Sequence, residues 1–332
     1  MFFQVVAQPS SSLPLVTVIC LCFNHQKYVL ESMNSVLAQS YSEIELIVID
    51  DASTDNSQEV IRDFIQSHPQ ITFIPLETNL GNCAAFNKGL AIAKGKYIID
   101  LAADDILLPN RITKQVETFE SISEEYAVVF TDAYLIDEEG KITKTFYKRN
   151  PTGKLIENVP SGDIYIHLIK RMILSSPTMM MRKKVLDELG GYDESLSYED
   201  YDFWVRSGRK YNYYFLNEIL TKKRVVAASQ GTGFYKKRLN KHLISTLNVC
   251  NKALDLNKTN EENTALSISV RYHLKLAFLT ENFEICEAYY YFLKSFNKPN
   301  WQDKLFHILA GMRVKVNTLY TWYLKLYRGM KV

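Results

Sequence analysis

Three acidic clusters in this sequence stand where carboxylates could do chemistry. Asp104 and Asp105 sit side by side after an apolar run, KYIIDL. Adjacent carboxylates repel each other, and a divalent cation shared with phosphate oxygens removes that cost, whereas the structural alternative is a capped turn before Pro109. Asp51 opens the turn Asp51-Ala-Ser-Thr-Asp55 after a second apolar run. Its polar groups could cap the following helix or accept a hydrogen bond from a ligand. In YEDYDFWVR, residues 198–206, Glu199, Asp200 and Asp202 crowd the start of a helix. The helix macrodipole favours negative charge there, so packing alone explains them; a carboxylate held ionised at that place could equally act as a general base.

These residues acquire direction from the elements that carry them. From Leu15 to Asp132, short β-branched runs alternate with amphipathic stretches, the pattern of a parallel sheet with crossover helices. Strands are expected at 15–21, 45–50, 72–75, 96–101 and 127–131, with helices at 28–39, 56–67, 82–93 and 110–119, most of them opened by Asn, Ser or Asp as caps. Ligands of open α/β sheets sit at the carboxyl ends of strands, which is where Cys22-Phe23-Asn24, the Asp51 turn and Asp104-Asp105 fall. A hairpin follows with its turn at 137–140, then a polar segment, 147–162, read as a mobile loop. Beyond it are expected a helix near 164–174, a strand near 178–182, a helix stopped by Gly190-Gly191, another from about Glu199, and a strand at 211–217. After residue 236 helices take over.

Composition limits the function classes. The 332 residues are 47% hydrophobic and 23% charged, enough for a large core, and the net charge of +2 gives no nucleic-acid footprint. Five cysteines at 20, 22, 83, 250 and 286, an odd number without a CxxC pair, fit reduced thiols in a cytoplasmic protein. Residues 1–13 read as a frayed lead-in with no basic n-region, and no apolar window is long enough to span a membrane. The Asn257-Lys258-Thr259 sequon is then without consequence. The six histidines are scattered without zinc spacing, and only His25 falls near the expected pocket. From Asp303 onward, Lys304, Arg313, Lys315, Lys325, Arg328 and Lys331 are interleaved with Tyr320, Trp322, Tyr323 and Tyr327. This pattern suits either helices lying on anionic lipid or aromatics packed on the main domain with solvated basic residues.

Taken together, VTVICLCFNHQKYVLESMNSVLAQSYSEIELIVIDDASTD, NLGNCAAFNKGLAIAKGKYI, LAADDILLPNR and GGYDESLSYEDYDFWVR resemble, in order and spacing, the family 2 glycosyltransferases of the GT-A fold over about residues 14–230. The resemblance implies an α/β fold with a mostly parallel central sheet flanked by helices and a helical C-terminal region. The implied domains are a catalytic one at 14–235, split into a nucleotide-binding half (14–132) and an acceptor half (133–235), and a helical region at 236–332. It implies an inverting transfer of a sugar from a nucleotide diphosphate to an acceptor hydroxyl, with a saccharide or lipid-linked saccharide as acceptor and surface polysaccharide or glycolipid as product.

By the same resemblance, Phe23 and Asn24 line the nucleotide pocket and Asp51 accepts from the base; a carboxylate acceptor selects N3–H of uracil or thymine, favouring UDP- or dTDP-sugars. Asn79, Gly81, Asn87, Lys88 and Asp104 approach the ribose and diphosphate, Asp105 contacts Mn2+ or Mg2+, Asp200 is the base, and Glu199 orients acceptor hydroxyls. Trp204 is expected in the core. Three positions depart from the family pattern. Ala102 stands where many relatives carry an acid, Phe86 where Arg is frequent, and a histidine expected after the acidic helix is missing from KKRVVAASQGTG, leaving Arg224 and Ser229, with Arg224 a candidate diphosphate partner. A dehydrogenase reading fails because the first strand is followed by CFNHQKY instead of a glycine-rich turn. A metal phosphohydrolase would add clustered histidines. A sugar-nucleotide binding protein without catalysis is the remaining alternative.

Overall fold

The computed structural model describes residues 13–198, 200–226 and 233–328, without the side chains of 327 and 328. Glu199, Ser229, Lys331 and nearly all of the lead-in therefore lie outside the described residues.

Four parallel strands, β1 (Val16–Cys22), β2 (Ile44–Asp50), β3 (Thr72–Pro75) and β4 (Tyr97–Ala102), form the first half of a nine-stranded sheet. The order is β3-β2-β1-β4-β8-β6-β9-β5, with β5 (Ile106–Leu107), β6 (Tyr126–Ile136), β8 (Met180–Arg182) and β9 (Asn212–Arg224) continuing it and β7 (Ile142–Thr145) pairing with β6. β8 is antiparallel to both β4 and β6, while β6 and β9 run parallel, so the sheet is mixed. β6 runs unbroken across residue 132, where the two halves were expected to divide.

Side chains alternate across the sheet with the period of the pleat. Val16, Val18, Cys20 and Cys22 face one core with Val29, Met33 and Val36 of α1 (Val29–Leu37), Ile61 of α2 (Ser57–Gln66), and Ile112, Val116 and Phe119 of α4 (Arg111–Ser121). Ile19, Leu21, Ile47 and Ile49 face the other, against Ala85, Phe86 and Leu90 of α3 (Asn82–Ile92). This second core continues through α5 (Tyr165–Lys170), α6 (Lys183–Glu188) and α7 (Asp200–Gly208) into the C-terminal helices α8 (Lys241–Leu256), α9 (Asn260–Leu279), α10 (Phe283–Phe296), α11 (Trp301–Gly311) and α12 (Asn317–Arg328). Trp204 is fully buried in it, as the sequence suggested. All five cysteines are buried.

Two expectations change. Asn56 and Asn110 make no side-chain cap; instead Gln39 accepts from Ile112 N at 3.0 Å, so a neighbouring element satisfies the amide. The segment expected to be mobile is irregular but pinned: Arg149 Nε donates to Asp132 at 2.7 Å, Tyr147 Oη to the Ile173 carbonyl, and Gly162 pairs with Tyr213. Among the described residues no helix is long and apolar enough to cross a membrane.

Candidate active site

Parallel strands deliver their following residues to one rim. At that rim, Ala103 N bonds Leu21 O and Asp51 N bonds Cys22 O, so the turns after β1, β2 and β4 are neighbours. The turn after β1 reverses at Asn24, whose φ of 58° lies in the left-handed region that Asn tolerates better than most residues. Its side chain accepts from Thr54 N at 2.8 Å, while Ser53 Oγ accepts from Asn24 N. Asn24 thus ties the β1 and β2 turns together, and Phe23 beside it is 44% exposed at the rim.

Asp50, fully buried, holds the β2 turn by accepting from Ser53 N and Gln58 Nε2. That turn role leaves Asp51 free to point elsewhere. Its two carboxylate oxygens accept from Leu80 N (2.7 Å) and Gly81 N (2.9 Å), and its carbonyl accepts from Asn79 Nδ2. Gly81 has φ 85°, which suits glycine, although a Cβ there would meet nothing within 4 Å. A carboxylate offers about four acceptor sites, so Asp51 keeps capacity for one more donor.

Asp104 and Asp105 follow β4 in a turn closed by Asp105 N to Ala102 O. Asp105 is 3% exposed, and one of its oxygens accepts from Arg224 N at 2.8 Å. Burial, and then the Asp104 charge, push its carboxyl well up, with Lys223 pulling the other way. His25 Nε2 stands 4.0 Å from Asp104, and its buried Nδ1 has no partner among the described residues.

Arg224 is not positioned as a diphosphate partner. Its Nε donates to Asp104 O, Nη1 to the carbonyls of Asp137 and Glu138, and Nη2 to Glu31, while the guanidinium lies 4.5 Å over the Tyr28 ring. Four of its five N–H groups are engaged inside the chain, which makes it a clasp between β9, the β6–β7 turn, α1 and the acidic pair.

Asp200 opens α7 and accepts from Tyr201 N at 2.7 Å. Burial raises its carboxyl, and Lys223 opposes that rise. The charge of the same lysine thus lowers both the Asp105 and the Asp200 carboxyls. Asp100, in β4, is raised by burial and by the Asp200 charge and accepts from Tyr192 Oη at 3.2 Å. Asp202, by contrast, is buried and paired with Arg206 and Lys252, bracing α7 against α8.

Asn87 spends both amide hydrogens on Tyr192 O and Glu194, and its oxygen accepts from Tyr192 N. It secures the turn at Gly191–Tyr192 that follows α6. Phe86, buried, stacks on Tyr192 with ring centroids 4.2 Å apart. The arginine expected there by family pattern is thus replaced by packing that steadies the Tyr192 contact to Asp100. Lys88 is exposed.

Sequence reasoning passed over Lys223 and Asp100. Alternation along β9 was the available signal for the lysine: if Arg224 turns inward, its neighbour faces the other side. Asp100 lacked any signal, being one acid inside an apolar strand.

The residues present fit a divalent cation in part. Two adjacent, desolvated carboxylates supply hard oxygen donors, but among the described residues no group of three or more His, Cys, Asp or Glu side chains forms a cage. A cation at Asp105 would need phosphate or water oxygens to complete its shell. A separate cleft of about 680 Å3, lined by Leu13, Tyr41, Lys96, Thr113 and Glu120, opens beside the amino ends of β1 and β4, away from this rim.

Comparison with known proteins gives a consistent result. The model of "Glycosyl transferase family 2" matches residues 17–190. An uncharacterized glycosyltransferase of Methanocaldococcus jannaschii is 36% identical over 216 residues, covering 64% of this chain and 71% of that one. TuaG of Bacillus subtilis, named as a glycosyltransferase of teichuronic acid biosynthesis, is 28% identical over 224 residues, covering 67% and 84%. For some other relatives the chain spans as little as 30% of their length. Among solved structures, S. aureus TarS 1–349 in complex with UDP-GlcNAc superposes with a TM-score of 0.61 at 16% identity, covering 95% and 92%. The mannosyltransferase PcManGT of Pyrobaculum calidifontis, in complex with GDP-Man and Mn2+, gives 0.56 at 14%, covering 94% and 88%. At these identities the structures establish the GT-A fold alone.

Proposed function

Because this chain belongs to glycosyl transferase family 2, we propose that it is an inverting transferase that moves a sugar from a UDP- or dTDP-sugar to an acceptor hydroxyl at the C-terminal rim of its sheet. The observation that carries this reading is the rim itself, where Ala103 N bonds Leu21 O and Asp51 N bonds Cys22 O, so that the turns bearing Asn24, Asp51 and the Asp104–Asp105 pair lie side by side.

Asp51 accepts N3–H of the base, its carboxylate held in place by the Leu80 and Gly81 amides. Phe23 and the backbone of residues 79–81 flank the nucleoside, while Lys88 and Lys223 supply positive charge toward the diphosphate. Asp104 and Asp105 would hold Mn2+ or Mg2+, which neutralises the departing diphosphate when bound. Asp200 takes the proton of the acceptor hydroxyl, and the Lys223 charge opposes the rise that burial imposes on its carboxyl. Glu199 orients the acceptor. Catalysis is assigned to residues 14–235 and a supporting role to the helices beyond 236. The kinship with TuaG supports a cell-surface polysaccharide or a lipid-linked precursor as acceptor, and the buried thiols suit a reducing, cytoplasmic setting.

The metal assignment is tested by titrating UDP into wild type and Asp105→Asn, with and without Mn2+, in a calorimeter. Wild type is expected to gain at least about tenfold in affinity from the metal, because the cation couples the acid pair to the diphosphate. The variant should bind UDP equally in both buffers. An equal Mn2+-dependent gain in the two proteins would remove Asp105 from the metal site.

A further inference from the structure

The last two described helices are apolar on two faces. One face of α11 is turned inward through Asp303, Phe306 and Ala310, and one face of α12 through Tyr320 and Leu324. The other faces are open. Trp301 (70% exposed), Leu305, Ile308 (57%) and Met312 (71%) recur along α11 and its end, and Leu319 (72%), Trp322 (62%) and Leu326 (58%) along α12. Spacings of three and four residues put each set on one side of its helix. Val314, between the helices, is exposed as well. Soluble proteins rarely leave large apolar side chains open at helical spacing unless something covers them.

The charge around these stripes indicates what does. Residues 303–332 carry six basic side chains and one acidic. That acid, Asp303, is buried and bonded to Arg271 at 3.0 Å, so its charge is directed inward. Lys304, Lys315 and Lys325 are exposed beside the stripes. A second copy of this surface would bring like charges together, whereas a layer of negative headgroups over an apolar interior satisfies both features at once. Trp suits the boundary between the two.

We infer that α11 and α12 form a membrane-docking face that lies flat on anionic lipid, with Trp301, Ile308, Leu319, Trp322 and Leu326 entering the headgroup boundary and Lys304, Lys315 and Lys325 on the phosphates. This face is separate from the acidic rim and does not depend on the transferase assignment. It would hold the enzyme at a surface where lipid-linked acceptors are presented.

The test is co-sedimentation of the full chain with phosphatidylcholine vesicles, either pure or containing about a third phosphatidylglycerol, with UDP binding followed in the same preparations as a check of folding. The chain should sediment with the anionic vesicles and stay in solution with the neutral ones, and added salt should release it. Lys304→Glu combined with Lys325→Glu should weaken partition more than tenfold. Trp322→Ser combined with Leu326→Ser should reduce it to the neutral-vesicle level, with UDP binding retained in both. No binding to anionic vesicles, or binding untouched by both pairs of substitutions, would overturn the inference. So would a stable dimer in lipid-free solution that Trp322→Ser and Leu326→Ser dissolve, since it would identify a second copy as the occupant.

Discussion

Asp200→Asn is expected to lose about a thousandfold in kcat while UDP affinity changes less than about twofold. The amide keeps the size of the carboxylate and can still accept from Tyr201 N, so α7 should start as before. What it lacks is basicity. The direction of the pKa shift adds a second readout. Burial raises the Asp200 carboxyl above the ordinary range, so its ionised, basic form is lost at a higher pH than for a free aspartate. The acid limb of the wild-type pH–rate profile should therefore lie above the usual carboxylate region, and the residual activity of Asp200→Asn should lack that limb. Measured by product formation against pH, equal turnover in the two proteins would end the base assignment.

The second large effect concerns Arg224. As a clasp, it supplies charge-assisted hydrogen bonds to three buried or half-buried carbonyls and holds the backbone against Asp105. Arg224→Ala should lower the unfolding free energy by about 3 kcal/mol, the scale of losing two or three such bonds with partial repair by water. The ion pair with Glu31 adds little, because Glu31 is 56% exposed. Arg224→Lys separates this role from a diphosphate contact. Lysine keeps the positive charge but cannot make the forked bonds, so as a clasp it should be nearly as destabilised as Ala. Urea unfolding in parallel with UDP titration reads both quantities. Stability retained by Ala together with lost UDP affinity that Lys restores would return Arg224 to the diphosphate.

The parallel half of the sheet was legible because buried strands are written as β-branched runs and crossover helices as amphipathic ones; β3 agrees at both ends, and β1, β2 and β4 within a residue. β6 and β9 proved longer than expected, since each extends by pairing with the other far along the chain, a non-local effect with no local signature. β5, two residues long, has none either. Within the site, the acids were visible as types at strand ends, yet their division of labour was not. Asp50 and Asp51 are adjacent and chemically identical. Only the fold turns one inward to hold a turn and the other toward the amides of residues 80 and 81. Asn87 is assigned by family resemblance and Arg224 as a candidate diphosphate partner, and neither reading shows their partners within the chain, which lie 105 and 107 residues away for Asn87 and as far as 193 for Arg224. The tail was left open between packing and lipid by its sequence, and the structure divides it, burying Tyr320 in part while exposing Trp322.

The central claim is that one rim receives base, diphosphate and acceptor. A crystal grown with UDP and Mn2+, with diffraction collected at the manganese absorption edge, tests it most directly. The account predicts a single anomalous peak touching Asp105 and the diphosphate, with uracil against Asp51 and the Asp200 carboxylate facing the open side where a sugar would sit. A nucleotide bound in the cleft at Leu13, Tyr41 and Lys96, or manganese apart from Asp105, would contradict it.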